Sequence, residues 1–145
     1  MKKQFLIIIF CLTLLGISFA LPSTSVDGVN LRTGPGEKYP VKMDFPKYYP
    51  LKIIGRSGEW RKVVDWQNTS GWVHNSMISS QQTAVVNRLR VNLRSGPGRG
   101  YRQVANLYNG YTLKIIKKRG SWYNVLVVDP PGNTTGWIAS WLIWG

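Results

Sequence analysis

The octet Val29-Asn30-Leu31-Arg32-Thr33-Gly34-Pro35-Gly36 returns 62 residues later as Val91-Asn92-Leu93-Arg94-Ser95-Gly96-Pro97-Gly98. At the same offset Tyr39, Leu51-Lys52-Ile53-Ile54, Gly58, Trp60 and Val63 meet Tyr101, Leu113-Lys114-Ile115-Ile116, Gly120, Trp122 and Val125. The offset becomes 65 where Gly71-Trp72-Val73 meets Gly136-Trp137-Ile138. The chain is therefore one unit written twice. The three extra residues fall near Asp129-Pro130-Pro131-Gly132, a surface hairpin where added length costs little. Each copy must fold within about 60 residues, which limits it to a small domain.

Within a copy, short β-prone runs alternate with Gly, Pro, Asn and Ser, and no helical period is present. Val29 to Arg32, Leu51 to Arg56, Trp60 to Val64 and Gly71 to Val73 read as strands, repeated in the second copy. The pattern predicts an all-β fold of two tandem small barrels. The boundaries are residues 21–80 for the first, a polar linker at 81–83 that includes Gln81-Gln82, and 84–145 for the second. Barrels this small bury little surface, so the two are expected to pack on each other through a short, stiff connection.

Lys2 and Lys3 precede an almost wholly apolar run from Phe5 to Phe19, and Ser18-Phe19-Ala20 resembles a cleavage site. Residues 1–20 thus read as a signal peptide. The protein is expected to be exported, to the periplasm, the cell envelope or the medium, with no membrane span once the signal is removed. Cys11, in the apolar run, is the chain's one cysteine, which excludes a disulfide framework, a thiol nucleophile and a thiolate metal site from the remainder. His74 is the one histidine, and Asp27, Glu37, Asp44, Glu59, Asp65 and Asp129 are the acids. Glu37 and Glu59 become Arg99 and Ser121 in the second copy, so no carboxylate pair belongs to the shared fold. These absences point to a non-enzymatic protein without cofactor or metal. The net charge is +13, or +11 without Lys2 and Lys3, which predicts attraction to polyanions.

Three motifs recur in order in both units: Asn-Leu-Arg-Ser/Thr-Gly-Pro-Gly with a following Tyr, then Gly-x-Trp-x-x-Val, then Gly-Trp-Val/Ile. Together they resemble the bacterial SH3 (SH3b) family. The resemblance implies SH3-like barrels and an exported targeting role. Several such modules bind cell-wall peptidoglycan and are attached to wall-cutting enzymes. These 145 residues are expected to include no enzyme domain, a departure from that pattern.

The candidate ligand-binding residues each carry two readings. Arg32 and Arg94 either clamp a carboxylate or brace the loop they enter. Trp60 and Trp122 either line a ligand groove, as the SH3 resemblance implies, or lie half-buried in the core. The same resemblance places His74 and Met77 in the groove; otherwise they are ordinary surface positions. Tyr48, Tyr49 and Trp66 stand where the second copy has Gly110, Tyr111 and Val128, and with Lys47, Arg61 and Lys62 they form a candidate basic, aromatic surface. Lys117-Lys118-Arg119 beside Tyr123 reads as a basic hairpin tip or a solvated turn. For Trp72 and Trp137 the alternation with Val73 and Ile138 puts one residue of each pair in the core. The expected partner is a cell-wall glycan or peptide, or another anionic envelope polymer. The alternative is an envelope protein held by an adaptor, with no specific nucleic acid in either case.

Overall fold

The computed structural model describes residues 21–145; the segment read as a signal peptide, 1–20, lies outside the described residues. In chain order the first copy contributes β1 (Leu21–Thr24), β2 (Val29–Arg32), β3 (Val41–Phe45), β4 (Lys52–Ser57), β5 (Trp60–Val64) and β6 (Ser70–His74). A 3-10 turn at Asn75–Met77 leads into β7 (Ile78–Val86). The second copy follows with β8 (Arg90–Arg94), β9 (Gln103–Tyr108), β10 (Thr112–Arg119), β11 (Trp122–Val127), β12 (Thr135–Ala139), a 3-10 turn at Ser140–Leu142 and β13 (Ile143–Trp144). Among the described residues there is no α-helix, as the sequence predicts. All strand pairings are antiparallel.

In the first copy the sheet order is β3-β2-β6-β5-β4, and the second repeats it as β9-β8-β12-β11-β10. The same period places the cores. Val29, Leu31, Phe45, Leu51, Val63 and Val73 fill the first barrel. Val91, Leu93, Leu107, Leu113, Val125 and Ile138 hold the same positions in the second. Val73 and Ile138 are thus the inward members of the Trp-Val and Trp-Ile pairs. Trp137 lies on the opposite face, 8% exposed, beneath Lys117 and Arg119, whose charges stand 5.6 and 5.7 Å from its ring centroid. The basic hairpin tip is exposed to water and also covers an indole.

Strand β7 joins the copies. Its first half pairs with β1, at Thr24↔Ile78 and Ser23↔Ser79. Its second half pairs with β10 on one side and β13 on the other. The last strand of the first barrel and the first strand of the second are one nine-residue strand. Residues 81–83, read from composition as a linker, are inside it. Their polar side chains disguise a backbone held on both sides: Thr83 pairs with both Leu21 and Lys114, and the Ser23 hydroxyl donates to the Gln81 carbonyl at 2.8 Å. The extra residues of the second copy lie between β11 and β12, in an exposed turn that includes a cis Pro130-Pro131 bond.

Candidate functional site

The shared octet builds a rigid loop next to a groove. Gly34 and Gly96 lie flat under the rings of Tyr39 and Tyr101: a Cβ on either would come within 2.5 and 2.2 Å of ring carbons. Arg32 leaves β2 just before this loop, and its Nη1 donates to the carbonyls of Glu37 and Tyr39, both at 3.0 Å. Arg94 Nη1 donates to the Tyr101 carbonyl at 3.0 Å. Both arginines brace their loops, and both also line a groove. A guanidinium has five N–H donors, so one or two carbonyl bonds leave others for a ligand.

Each barrel has a groove of about 300 Å³. Arg32, Glu37, Trp60, His74, Ser76 and Met77 line the first, over Val29 and Asn30. Arg94, Arg99, Trp122, Ala139, Trp141 and Leu142 line the second, over Val91 and Asn92. The two linings agree position by position at offsets of 62 and then 65, ending with Gly28 in one and Arg90 in the other. The fold therefore makes this groove twice, and the side chains then diverge. In the first, His74 stands edge-on to Trp60 with ring centroids 5.2 Å apart. The His74 Nδ1 is 2.7 Å from the Ser76 hydroxyl, and Nε2 is 3.3 Å from the Glu59 carboxylate. In the second, Ala139 vacates the place of the histidine, and Trp141 meets Trp122 edge-on at 6.0 Å.

The other candidates stand elsewhere. Tyr49 is turned inward: its ring stacks on Phe45 at 4.4 Å, and its hydroxyl donates to Asp65 at 2.9 Å. Burial, then the hydrogen bond to Asp65 and its charge, hold the Tyr49 hydroxyl far above its ordinary pKa. Tyr48 and Trp66 face the second barrel. Lys114 stands 4.6 Å from the Tyr48 ring centroid, and Trp66 lies against Gly110. A hydrogen bond from Lys47, then the charges of Lys114 and Lys47, lower the Tyr48 pKa. Tyr48 and Trp66 of the aromatic surface read on the first barrel are thus half-buried beside the second barrel, while Lys47 and Lys62 stay exposed. Conversely, reasoning from shared motifs passed over Arg90, Arg99 and Trp141. The signal was present at the repeat offset, where Glu37 faces Arg99 and Ser76 faces Trp141.

Among the described residues no group of three or more His, Cys, Asp or Glu side chains is placed to hold a metal ion. No helix of these residues is long and apolar enough to cross a membrane. Among the described residues no lysine or arginine is matched to a carboxylate, and the imidazole of His74 lies 3.3 Å from the Glu59 carboxylate. A positive surface without internal partners attracts anions from solution.

Fold and groove define a class: paired small β-barrels, each presenting an aromatic, arginine-bearing cleft. Family profiles described as bacterial SH3 domain match residues 25–80 and 89–143, and the chain belongs to that family as a tandem pair. The chain is also 23% identical over 161 aligned residues to "Putative N-acetylmuramoyl-L-alanine amidase YrvJ" of Bacillus subtilis (strain 168). That match takes in 97% of this chain and spans 30% of the length of the relative. Among solved structures, NlpC1 from Trichomonas vaginalis aligns with 90% of this chain and 47% of its own, at 12% identity and a TM-score of 0.37.

Proposed function

We propose that this protein is an exported, non-enzymatic binding module that holds cell-wall peptidoglycan, or another acidic polymer of the envelope, in its two grooves. The observation that carries the reading is the repetition of one cleft, with Arg and Trp at matching positions, in two barrels that share one continuous strand. Two linked sites on a repeating polymer raise the effective concentration for the second contact, so weak grooves add to firm retention. The unpaired positive charge lengthens the reach of the encounter, and the indoles supply contact to sugar or peptide faces. The relative named as an amidase shares the region that this chain provides, which fits a non-catalytic wall-holding role.

Sedimentation with purified wall sacculi across a salt series tests this. The protein is expected in the pellet at moderate salt. Trp60→Ala combined with Trp122→Ala should release most of it, with the fold retained. Protein that stays in the supernatant would refute wall binding. Loss of binding that follows salt alone and ignores both indoles would reduce the interaction to unspecific charge. Recovery of one stoichiometric envelope protein, insensitive to wall digestion, would favour the adaptor reading instead.

A further inference from the structure

The two grooves share a shape but not a charge. The lining of the first has Arg32 and Glu37, which cancel, with the Glu59 carboxylate just behind His74. The lining of the second has Arg90, Arg94 and Arg99 and no acid. Of the five arginines that stand in the second copy where the first has another residue (Arg88, Arg90, Arg99, Arg102 and Arg119), two thus fall on the rim of one cleft. Neither Arg90 nor Arg99 makes a side-chain hydrogen bond or ion pair with the described residues. Arg99 lies over the Trp141 ring, 5.8 Å from its centroid. Trp141 is 48% exposed, an unusual exposure for an indole that has the neighbouring Trp122 to pack on.

We infer that the second groove is a carboxylate site, in which Arg90, Arg94 and Arg99 hold the acid group and the Trp122–Trp141 pair takes the sugar or peptide unit that carries it. This deepens the wall-binding reading and rests on it. Guanidinium is planar and matches a carboxylate with two parallel N–H···O bonds, and several around one cleft tolerate more than one approach of the acid. The indoles select what bears the charge. Two rings set at 72° to each other make a corner with two flat walls. A sugar ring or a peptide unit with a pendant carboxylate meets the arginines and the corner together. Poly(glycerol phosphate), whose charge lies in a phosphodiester backbone of open-chain glycerol, places no flat body next to that charge. The first groove, with a neutral lining and a carboxylate at its back, does not discriminate in this way. The pair therefore reads two different features of one polymer.

Calorimetric titration of the full protein with an N-acetylmuramoyl dipeptide, free acid against fully amidated, tests the site. The free acid is expected to bind at least about tenfold more tightly, with an advantage that falls as salt rises. Arg99→Glu with Trp141→Ser installs the residues of the first groove at exposed positions, so the fold should hold, checked by an unchanged melting temperature. This variant should lose the preference for the free acid. The converse variant, Glu37→Arg with Ser76→Trp, should gain a second carboxylate-preferring site. Equal affinity for acid and amide, no binding of either, or a preference that survives Arg99→Glu with Trp141→Ser would overturn the inference. So would displacement by poly(glycerol phosphate) with no effect of amidation. If the protein still sediments with sacculi in those cases, the wall-binding reading stands and only the carboxylate assignment falls. If sacculi fail and the acid preference holds, the reverse is true.

Discussion

Asp65 is a buried carboxylate, 3% exposed, at a position where the second copy has Val127. It survives burial because every approach to it is a donor: the amides of Gln67 and Thr69 at 3.0 and 2.7 Å, and the Tyr49 hydroxyl at 2.9 Å. The first barrel thus closes this end with a polar knot where the second uses valine. Asp65→Ala would leave three donors unsatisfied and is expected to destabilise by about 3 kcal/mol, read by urea unfolding. Tyr49→Phe removes one bond to a charged acceptor and should cost about 1.5 kcal/mol at neutral pH. Its pH dependence has a definite sign. The pKa of the Tyr49 hydroxyl is raised in the fold from the ordinary 10.0, so the stability it contributes is whole below pH 10 and is lost as pH climbs toward the folded value. The gap between wild type and Tyr49→Phe should therefore be flat up to about pH 9 and narrow above 10. A gap unchanged at higher pH would contradict the assigned bond. Tyr48 shifts the other way, and absorbance titration should show one phenol ionising early that Tyr48→Phe removes.

The strands β2 and β6, and their counterparts β8 and β12, cross closely at Gly71 and Gly136. A Cβ on Gly71 would stand 2.7 Å from the Arg32 carbonyl oxygen and from Leu31 Cγ; on Gly136, 2.9 Å from the Arg94 oxygen and 2.6 Å from Leu93 Cγ. Either Gly→Ala change must push apart the strands that hold the core leucine and the groove arginine, at a cost of about 2 kcal/mol, seen as a lower melting temperature and weaker binding in that barrel alone. The crossing explains why the Gly-Trp motif was legible in sequence: a packing demand repeated in both copies leaves the same residue twice. Alternation put one residue of each Trp-Val and Trp-Ile pair in the core, but the packing of the barrel decides that it is Val73 and Ile138. What alternation did not reveal was β7, because Ser79-Ser80-Gln81-Gln82 has the composition of a loop while its backbone is fixed by neighbours far away in sequence. The groove was half legible for a related reason. Arg32, Arg94, Trp60 and Trp122 are shared and stood out, whereas Arg90, Arg99 and Trp141 are where the copies differ. At the strand junction, Thr83 has a buried hydroxyl that has no hydrogen-bond partner among the described residues. Thr83→Val should accordingly be neutral or stabilising by up to about 1 kcal/mol, and clear destabilisation in a thermal melt would mean that the hydroxyl has a partner.

At the scale of the molecule, β7 decides whether two domains behave as two. The first barrel has a core cluster of six buried residues and the second of eleven, so the first is the weaker partner. A barrel of about 55 residues is marginal by itself. The first cannot release its last strand without disturbing the first strand of the second, and Tyr48 and Trp66 rest on Lys114 and Gly110 across the seam. Unfolding either barrel therefore exposes surface that the other relies on, and the pair should melt as one cooperative unit in scanning calorimetry. Inserting Gly-Ser-Gly-Ser between Gln82 and Thr83 cuts the strand but keeps both sets of side chains. The insertion should separate the trace into two transitions, the first barrel melting at the lower temperature, identifiable because Tyr49→Phe shifts that transition alone. Two resolved transitions in the uninterrupted protein would show that the common strand does not couple the barrels. The coupling matters for binding as well as stability. A rigid strand fixes the distance between the grooves, so the insertion should weaken retention on sacculi even where each groove keeps its own affinity for a soluble fragment.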